Sequence, residues 1–130
     1  MTLDPGDETH RHGDYIQAAD AGTAEQGMPV SFDANGEIVP LTEGTEYVGV
    51  YYESGRSEGN ECTVKVQGTV RAFVDSGVTQ NDILGSPNTS ASPGEDDNAF
   101  GTSDDQRVLA LEDAADPDGD GNHVAEVLLR

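Results

Sequence analysis

The stretch that decides the fold is CTVKVQGTVRAFV, residues 62–74. Its even-numbered positions are apolar or glycine, and its odd-numbered positions are polar apart from Phe73. Alternation with a period of two is typical of a β-strand that has one face in a core. Gly68 in the middle predicts a bend, a bulge or a close backbone approach. The stretch therefore predicts a β-rich protein in which Cys62 is a small buried apolar residue.

Shorter apolar segments on both sides of this stretch predict further strands. The Asn35-Gly36 pair indicates a hairpin, because both residues tolerate positive φ, and it joins strands within 28–33 and 37–41. Pro40 is expected to end the second of these strands or to lie on an edge. Further strands are expected at residues 15–19, 47–52 (with Val48, Val50 and Tyr52 on one face), 82–84 and 124–129, and residues 108–111 are expected to form a strand or a single helical turn. Residues 85–105, rich in Ser, Pro, Gly, Asn and Asp, predict a long surface loop.

Length and composition define the class of fold. The chain has 130 residues, of which 34% are hydrophobic, and it contains no Trp, 16 Gly and 6 Pro. These values predict a mainly β protein: a compact small β-barrel or β-sandwich-like domain with at most one or two short helices. Residues 1–20 are expected to form an extended N-terminal arm, and residues 21–130 a single β-rich domain.

The charge balance indicates an environment of high salt. The chain has 26 acidic residues against 6 Lys and Arg, a formal net charge of -20, and Lys65 is its only lysine. Molar salt shortens the Debye length from about 10 Å to about 3 Å and so removes most of the self-repulsion. A haloarchaeal or haloviral source fits this composition. A DNA mimic and a calcium-rich secreted module are alternatives, whereas a disordered acidic tail would lack the regular alternation.

Several classes of function are disfavoured by the sequence. No basic patch is available to meet nucleic-acid phosphates, and no apolar run reaches the roughly 18 residues of a membrane span. A single cysteine cannot form an intrachain disulfide. The start of the chain does not resemble a signal peptide, so synthesis in a cytoplasm is expected. Serine-nucleophile, phosphate-loop and HExxH motifs are missing, so we do not expect an enzyme.

The acidic stretch DPDGDGN, residues 116–122, resembles the front of a calcium-binding loop. Asp116, Asp118 and Asp120 occupy its first, third and fifth positions, and a glycine holds the sixth. The closing acid at position twelve would be Val127, while Glu126 stands one residue short. A strand is expected to follow instead of a helix. These four acids are weak candidate metal ligands beside the simpler reading of a polar turn, and no cofactor is expected.

An ordered set of short motifs resembles a known family. The motifs are AEQGMPV (24–30) before the Asn-Gly hairpin, YVGV (47–50), VKVQGTV (64–70), VTQNDILG (78–85), VLALEDA (108–114) and a final Val-Leu-Leu strand. From about residue 22 to residue 130 this order is similar to the small capsid decoration (cement) proteins of tailed viruses, of the phage lambda head-decoration type. With the acidic composition, the resemblance implies a virus of haloarchaea.

The resemblance implies a function and a partner. It implies a protein on the capsid surface of the virion that binds the major capsid protein as a homotrimer and stabilises the expanded shell.

 The chain would be made in the host cytoplasm, and its arm would lie on the shell. A calcium-binding surface or tail-associated β module of a halophile or its virus is the alternative. The candidate partner-contacting residues are Thr9, His10, His12 and Tyr15 on the arm, and Lys65 and Arg71 on the less acidic outer side of the 62–74 ladder. For the two bases, cross-strand pairing with acids is the simpler reading.

Overall fold

A computed structural model describes residues 14–42, 45–54, 61–86, 99–103 and 107–130, and in this part of the chain the protein is all-β, without a helix. None of these residues therefore belongs to a helix that could cross a membrane. The strands are β1 (Tyr15–Asp20), β2 (Pro29–Phe32), β3 (Glu37–Pro40), β4 (Gly49–Ser54), β5 (Glu61–Lys65), β6 (Gly68–Phe73), β7 (Ile83–Gly85), β8 (Gly101–Thr102), β9 (Val108–Ala110) and β10 (Val124–Leu129). The predicted class, a small compact β domain, is confirmed.

The first five strands form a closed barrel in the order β1-β3-β2-β4-β5. Strand β1 closes it, because β1 pairs with β3 in parallel and with β5 in antiparallel orientation. The barrel interior is small and apolar, and its buried residues are Val30, Ile38, Tyr51, Cys62 and Val64. Cys62 is fully buried, as predicted. Closure leaves the barrel without the free strand edges that would otherwise pair with another chain.

The remaining strands form an open sheet in the order β6-β10-β9-β7-β8, which we call the second sheet. One face of this sheet packs against the outside of the barrel, where Leu41, Tyr47 and Val50 join its core cluster. Backbone contacts tie the two parts together as well, since the Phe73 N–H donates to the carbonyl of Gly27 at 2.9 Å. The larger of the two cores therefore lies between the barrel wall and the second sheet.

The 62–74 ladder divides between the two sheets. Its first half is β5 in the barrel, its second half is β6 in the second sheet, and the chain turns between them at Gly68, whose φ is +92°. The alternation continues through the turn, so Cys62, Val64 and Ala72 are all buried although they belong to two sheets. The predicted bend at Gly68 is thus the point at which the alternating segment leaves the barrel and enters the second sheet.

The predicted Asn-Gly hairpin joins β2 and β3, which pair in antiparallel orientation. Gly36 has a φ of +78°, whereas Asn35 does not adopt positive φ. The Asp33 carboxylate holds the turn by accepting hydrogen bonds from the N–H groups of Asn35 (2.8 Å) and Glu37 (2.9 Å). Pro40 is the last residue of β3, as predicted. One left-handed glycine is therefore enough for this turn.

The third strand is buried on both of its faces, because Val50 lies in the core beneath the second sheet and Tyr51 lies in the barrel core. Strand β4 covers Gly49–Ser54, and its pairing with β5 is irregular between Tyr51 and Glu53. Tyr51 pairs with Val64 before this irregularity and is buried in the barrel, whereas Tyr52 stands within it and is 39% exposed. The predicted common face of Val48, Val50 and Tyr52 is therefore not one environment: Val48 packs against the barrel core, Val50 lies beneath the second sheet and Tyr52 is exposed.

Two predicted boundaries also change. The arm expected over residues 1–20 does not include Tyr15–Asp20, because this segment is β1 of the barrel; residues 1–13 lie outside the described residues. The loop expected over residues 85–105 contains Phe100, which is fully buried, followed by the short strand β8. Phe100 is anchored by its backbone, since its N–H donates to Phe73 and its carbonyl accepts from Asp75.

Candidate functional site

Two tyrosines and the lysine meet on the outside of the barrel. Tyr15 on β1 lies directly opposite Lys65 on β5, and Tyr52 extends from the irregular part of β4. The rings of Tyr15 and Tyr52 pack edge to face with their centroids 5.0 Å apart. The Lys65 ammonium lies 5.1 Å from the centroid of the Tyr15 ring, within the range of a cation–π contact. We call these three side chains the aromatic–lysine surface.

Local backbone geometry explains why these side chains face outward. The neighbours of Tyr15 on β1, Ile16 and Ala18, pack against the barrel core, so Tyr15 points to the other side. Gly68 adjoins Lys65, because a Cβ atom at this position would lie in van der Waals contact with Cε of Lys65, at 3.5 Å. The same Cβ atom would lie 3.7 Å from Oδ2 of Asp14. The lysine therefore lies beside both an aromatic ring and a carboxylate.

The Tyr52 hydroxyl has a raised pKa, and an open cleft lies beside its ring. The neighbouring Tyr15 raises the pKa of the Tyr52 hydroxyl, through its charge and through a side-chain hydrogen bond. Beside Tyr52 lies a cleft of about 470 Å³, lined by Ala24, Glu25, Gln26, Tyr51, Tyr52, Glu53 and Ser54. The site thus combines the exposed ring of Tyr52, the half-buried ring of Tyr15, one cation and an acidic rim. Tyrosines of this kind are enriched in the centres of protein interfaces.

The structure brings together only some of the predicted partner-contacting residues. Tyr15 and Lys65 are neighbours, whereas Arg71 lies on β6 of the second sheet. Arg71 is opposite Glu126 in the sheet register, and its Nη1 atom lies 3.4 Å from Oε1 of Glu112. For Arg71 this is the cross-strand pairing with acids that the sequence left open. The remaining candidates, Thr9, His10 and His12, lie outside the described residues and stay predictions.

The acidic loop after Ala115 uses its carboxylates on its own backbone. Asp116 accepts hydrogen bonds from the N–H groups of Asp120 (3.2 Å) and Gly121 (2.9 Å). Asp120 accepts one from Asn122 (3.0 Å), and this hydrogen bond lowers the pKa of Asp120. Such bonds are the means by which Asp residues stabilise turns.

The four weak metal candidates do not form a cluster. Asp118 is exposed in the loop, while Glu126 lies within β10 opposite Arg71. Across the described ranges, three or more His, Cys, Asp or Glu side chains are nowhere arranged to hold a metal ion. The loop therefore has the geometry of a polar turn.

Tyr52 is the member of the aromatic–lysine surface that the sequence reasoning missed. The signal that could have identified it is the tyrosine pair at 51–52 followed at once by Glu53 and Ser54. Successive side chains of a strand point to opposite faces, so only one of the two adjacent tyrosines is expected in the barrel core. Nothing in the spacing says which of the two it is, because β4 has buried residues on both faces, Val50 beneath the second sheet and Tyr51 in the barrel.

Comparisons with known proteins place the fold. The C-terminal fragment of bacteriophage phi29 gene product 12 has a similar structure, with a TM-score of 0.63 at 14% sequence identity; the match covers 88% of this chain and 98% of that chain. The likeness is one of fold. The pre-mature form of the same gene product matches with the same TM-score and identity, but there this chain spans only 21% of that chain's length. No family model matches the sequence, and no curated protein does.

Proposed function

We propose that this protein is a structural component of a virus particle and that it acts by binding another protein of the particle, without catalysing a reaction. The observation that carries the proposal is the aromatic–lysine surface, in which Tyr52 is exposed on a rigid closed barrel. Exposed aromatic side chains on a rigid frame lose little conformational entropy when they are buried by a partner. The phage protein with a similar fold supports the viral setting.

Head decoration is the specific form of this proposal. The motifs similar to capsid decoration proteins support it, and they imply binding of a homotrimer to the major capsid protein on the capsid surface. A protein that binds only the expanded shell stabilises that shell by mass action, by about 2.7 kcal/mol per site at a hundredfold excess over Kd. Contacts made by aromatic and apolar groups suit a halophilic virus, since molar salt screens charge attraction but does not weaken hydrophobic burial.

A tail-associated β module is the second candidate, and one observation favours it. In the longer phage chain the similar fold is a small part, 21% of the length, and the shorter match is named a C-terminal fragment. A domain of this kind can serve as one module of an elongated particle protein. The two candidates differ in the fraction of the particle that holds the protein: isolated heads or isolated tails.

Rebinding to purified particles tests the proposal. The chain should be found in gradient-purified particles of its source, and the purified protein should rebind to particles from which it has been stripped. Tyr52→Ala should weaken rebinding at least about tenfold, as expected for a central aromatic contact. Phe32→Ala is the matched control, because Phe32 is the other large exposed aromatic side chain of the described residues, at 47% exposure.

The outcomes separate the alternatives. Rebinding to heads with a gain in heat resistance supports decoration, and rebinding to tails alone supports the second candidate. If the chain is absent from purified particles, the proposed function is wrong. If Tyr52→Ala and Phe32→Ala rebind equally well, the aromatic–lysine surface is not the contact.

A further inference from the structure

The second sheet carries a row of apolar side chains on the face that points away from the barrel. Ile83 on β7 lies opposite Leu109 on β9, and Leu109 lies opposite Leu128 on β10. Thr69 on β6 continues the row, because it pairs with Leu128. Side chains directly opposite one another in neighbouring strands lie on the same face of a sheet. Four adjacent strands therefore present one continuous row, which we call the outer row.

The outer row does not belong to the protein core. The residues that alternate with it, Leu84, Val108 and Val127, are fully buried against the barrel. Ile83, Leu109 and Leu128 themselves are only partly buried, and none of them is among the residues of the two core clusters or the side chains packed against those clusters. A sheet with one face in the core normally has polar residues on its other face. Three large aliphatic residues in register depart from that pattern.

The charges around the outer row are balanced. The next row across the sheet contains Arg71 opposite Glu126, with Glu112 3.4 Å from the Arg71 guanidinium. Arg130 is exposed two residues after Leu128. Among the described residues of this face, Arg71 and Arg130 therefore accompany Glu112 and Glu126, although the chain as a whole has a formal net charge of -20. A nearly neutral apolar face on a strongly acidic molecule is where a like-charged molecule meets the least repulsion.

We propose that the outer row is the contact between two copies of this chain. The face is self-complementary, because a base and an acid stand side by side next to a flat apolar row. A two-fold axis through such a face sets apolar side chains against apolar ones and unlike charges opposite each other. Sheets that pack face to face in this way lie about 10 Å apart.

The size of the face predicts weak association that depends on salt. The row crosses four strands about 4.8 Å apart, two of six residues (about 20 Å long) and two of three residues (about 10 Å long), which offer roughly 300 Å² per copy. This is below the roughly 800 Å² per partner of a stable complex. Each copy has a formal net charge of -20, so electrostatic repulsion also opposes contact at low salt, where the Debye length is long. The copies therefore separate at low salt and associate at molar salt. This inference rests on the face alone and does not require the proposed function.

Sedimentation equilibrium of the full chain tests the inference, in about 0.1 M and about 1 M salt, where the Debye length is about 10 Å and about 3 Å. The association constant should rise with salt by at least about tenfold. Leu128→Gln should lower the association constant in high salt by about tenfold or more. Phe32→Gln is the matched control, since it removes an exposed aromatic from the barrel and should leave association unchanged.

A second variant keeps the test decisive if Leu128→Gln does not fold. Arg71→Glu changes an exposed side chain and leaves three acids on the face, so it should weaken association while circular dichroism shows an unchanged fold. A monomer at both salt concentrations would overturn the inference. So would association that both outer-face variants leave unchanged. Loss of association in these variants with normal rebinding to particles would separate this contact from the proposed particle contact.

Discussion

The barrel and the second sheet are both built from five strands, but the barrel is closed and the second sheet is open. In the barrel, β1 pairs on both sides and closes the structure, so its strands offer a partner only their outward side chains. The second sheet remains open, and it buries one face while the other presents the outer row. A binding surface on the barrel must therefore be built from a few projecting side chains, such as Tyr52. On the open sheet a whole face is available.

The largest expected effect comes from Phe100, which joins the two regions. It is fully buried in the core between the barrel and the second sheet, edge to face with Tyr47 at 5.6 Å between centroids. Phe100→Ala should lower the free energy of unfolding by about 3–5 kcal/mol, as is usual for a buried aromatic residue. Urea unfolding measures this. Phe32→Ala, on an exposed ring, should cost less than about 1 kcal/mol, and similar costs for both variants would contradict the shared core.

The next largest effect is expected at Gly49, in the seam of the barrel between β4 and β5. A Cβ atom there would overlap the backbone carbonyl oxygen of Lys65 and lie 2.8 Å from Cγ1 of Val64. Gly49→Ala should destabilise the protein by about 3 kcal/mol, since a backbone clash requires the strands to separate. Gly77→Ala is the control in the same urea experiment, because its Cβ atom would meet only the Asp75 carboxylate at 3.7 Å. Equal stability of the two variants would show that β4 and β5 are less tightly packed at Gly49 than these distances indicate.

A smaller effect is expected from the polar contact at the edge of the barrel core. The Tyr51 hydroxyl donates to Oδ2 of Asp20 at 2.6 Å. Tyr51→Phe should cost about 1.5–3 kcal/mol at neutral pH, the range for hydrogen bonds to charged groups. Burial and then the Asp20 hydrogen bond raise the pKa of Tyr51 above its usual value of 10.0.

The pH dependence of that contact follows from the raised pKa. Above pH 10 the unfolded tyrosine ionises while the folded one keeps its proton, so the unfolded state binds fewer protons and stability falls. The difference in unfolding free energy between the wild type and Tyr51→Phe should therefore shrink as the pH rises above 10. A difference that stays constant in urea unfolding across this range would contradict the assigned hydrogen bond.

The smallest effect concerns the buried thiol of the barrel. Burial, and then the nearby Asp20 and Glu61, raise the pKa of Cys62 from 9.0 to about 11. The stability that the protonated thiol provides is complete below pH 9 and is lost as the pH rises towards 11. Cys62→Ala should lower stability at every pH, but its stability should fall less steeply between pH 9 and 11. Parallel slopes for the two proteins would show that the thiol does not titrate differently on folding.

The sequence predicted the strands well where a local pattern controls them. The alternation at 62–74 and the Asn-Gly hairpin both hold, because side-chain period and turn geometry are local properties. The sequence could not predict that the 62–74 stretch divides between two sheets at Gly68. The apolar and polar residues alternate in the same way whether the strand only bends there or passes into another sheet. Phe100 was missed because a single aromatic residue in a polar stretch has no periodicity.

The candidate site was predicted only in part for a similar reason. Tyr15 and Lys65 were singled out, but their pairing depends on the register of β1 against β5, which joins residues 50 positions apart in sequence. Tyr52 depends on an irregularity in β4, and the outer row depends on the registers of four strands. Register between distant strands is set by tertiary packing, which a single sequence does not display.

Chemical labelling of Lys65 tests directly whether the protein binds another protein of a particle through the aromatic–lysine surface. Lys65 is the only lysine of the chain, so acetylation of its side chain, followed by mass spectrometry, reports on one place in the structure. Acetylation should be several-fold slower for protein bound to particles than for free protein in the same salt. Equal rates in the two states would show that the aromatic–lysine surface does not contact the particle.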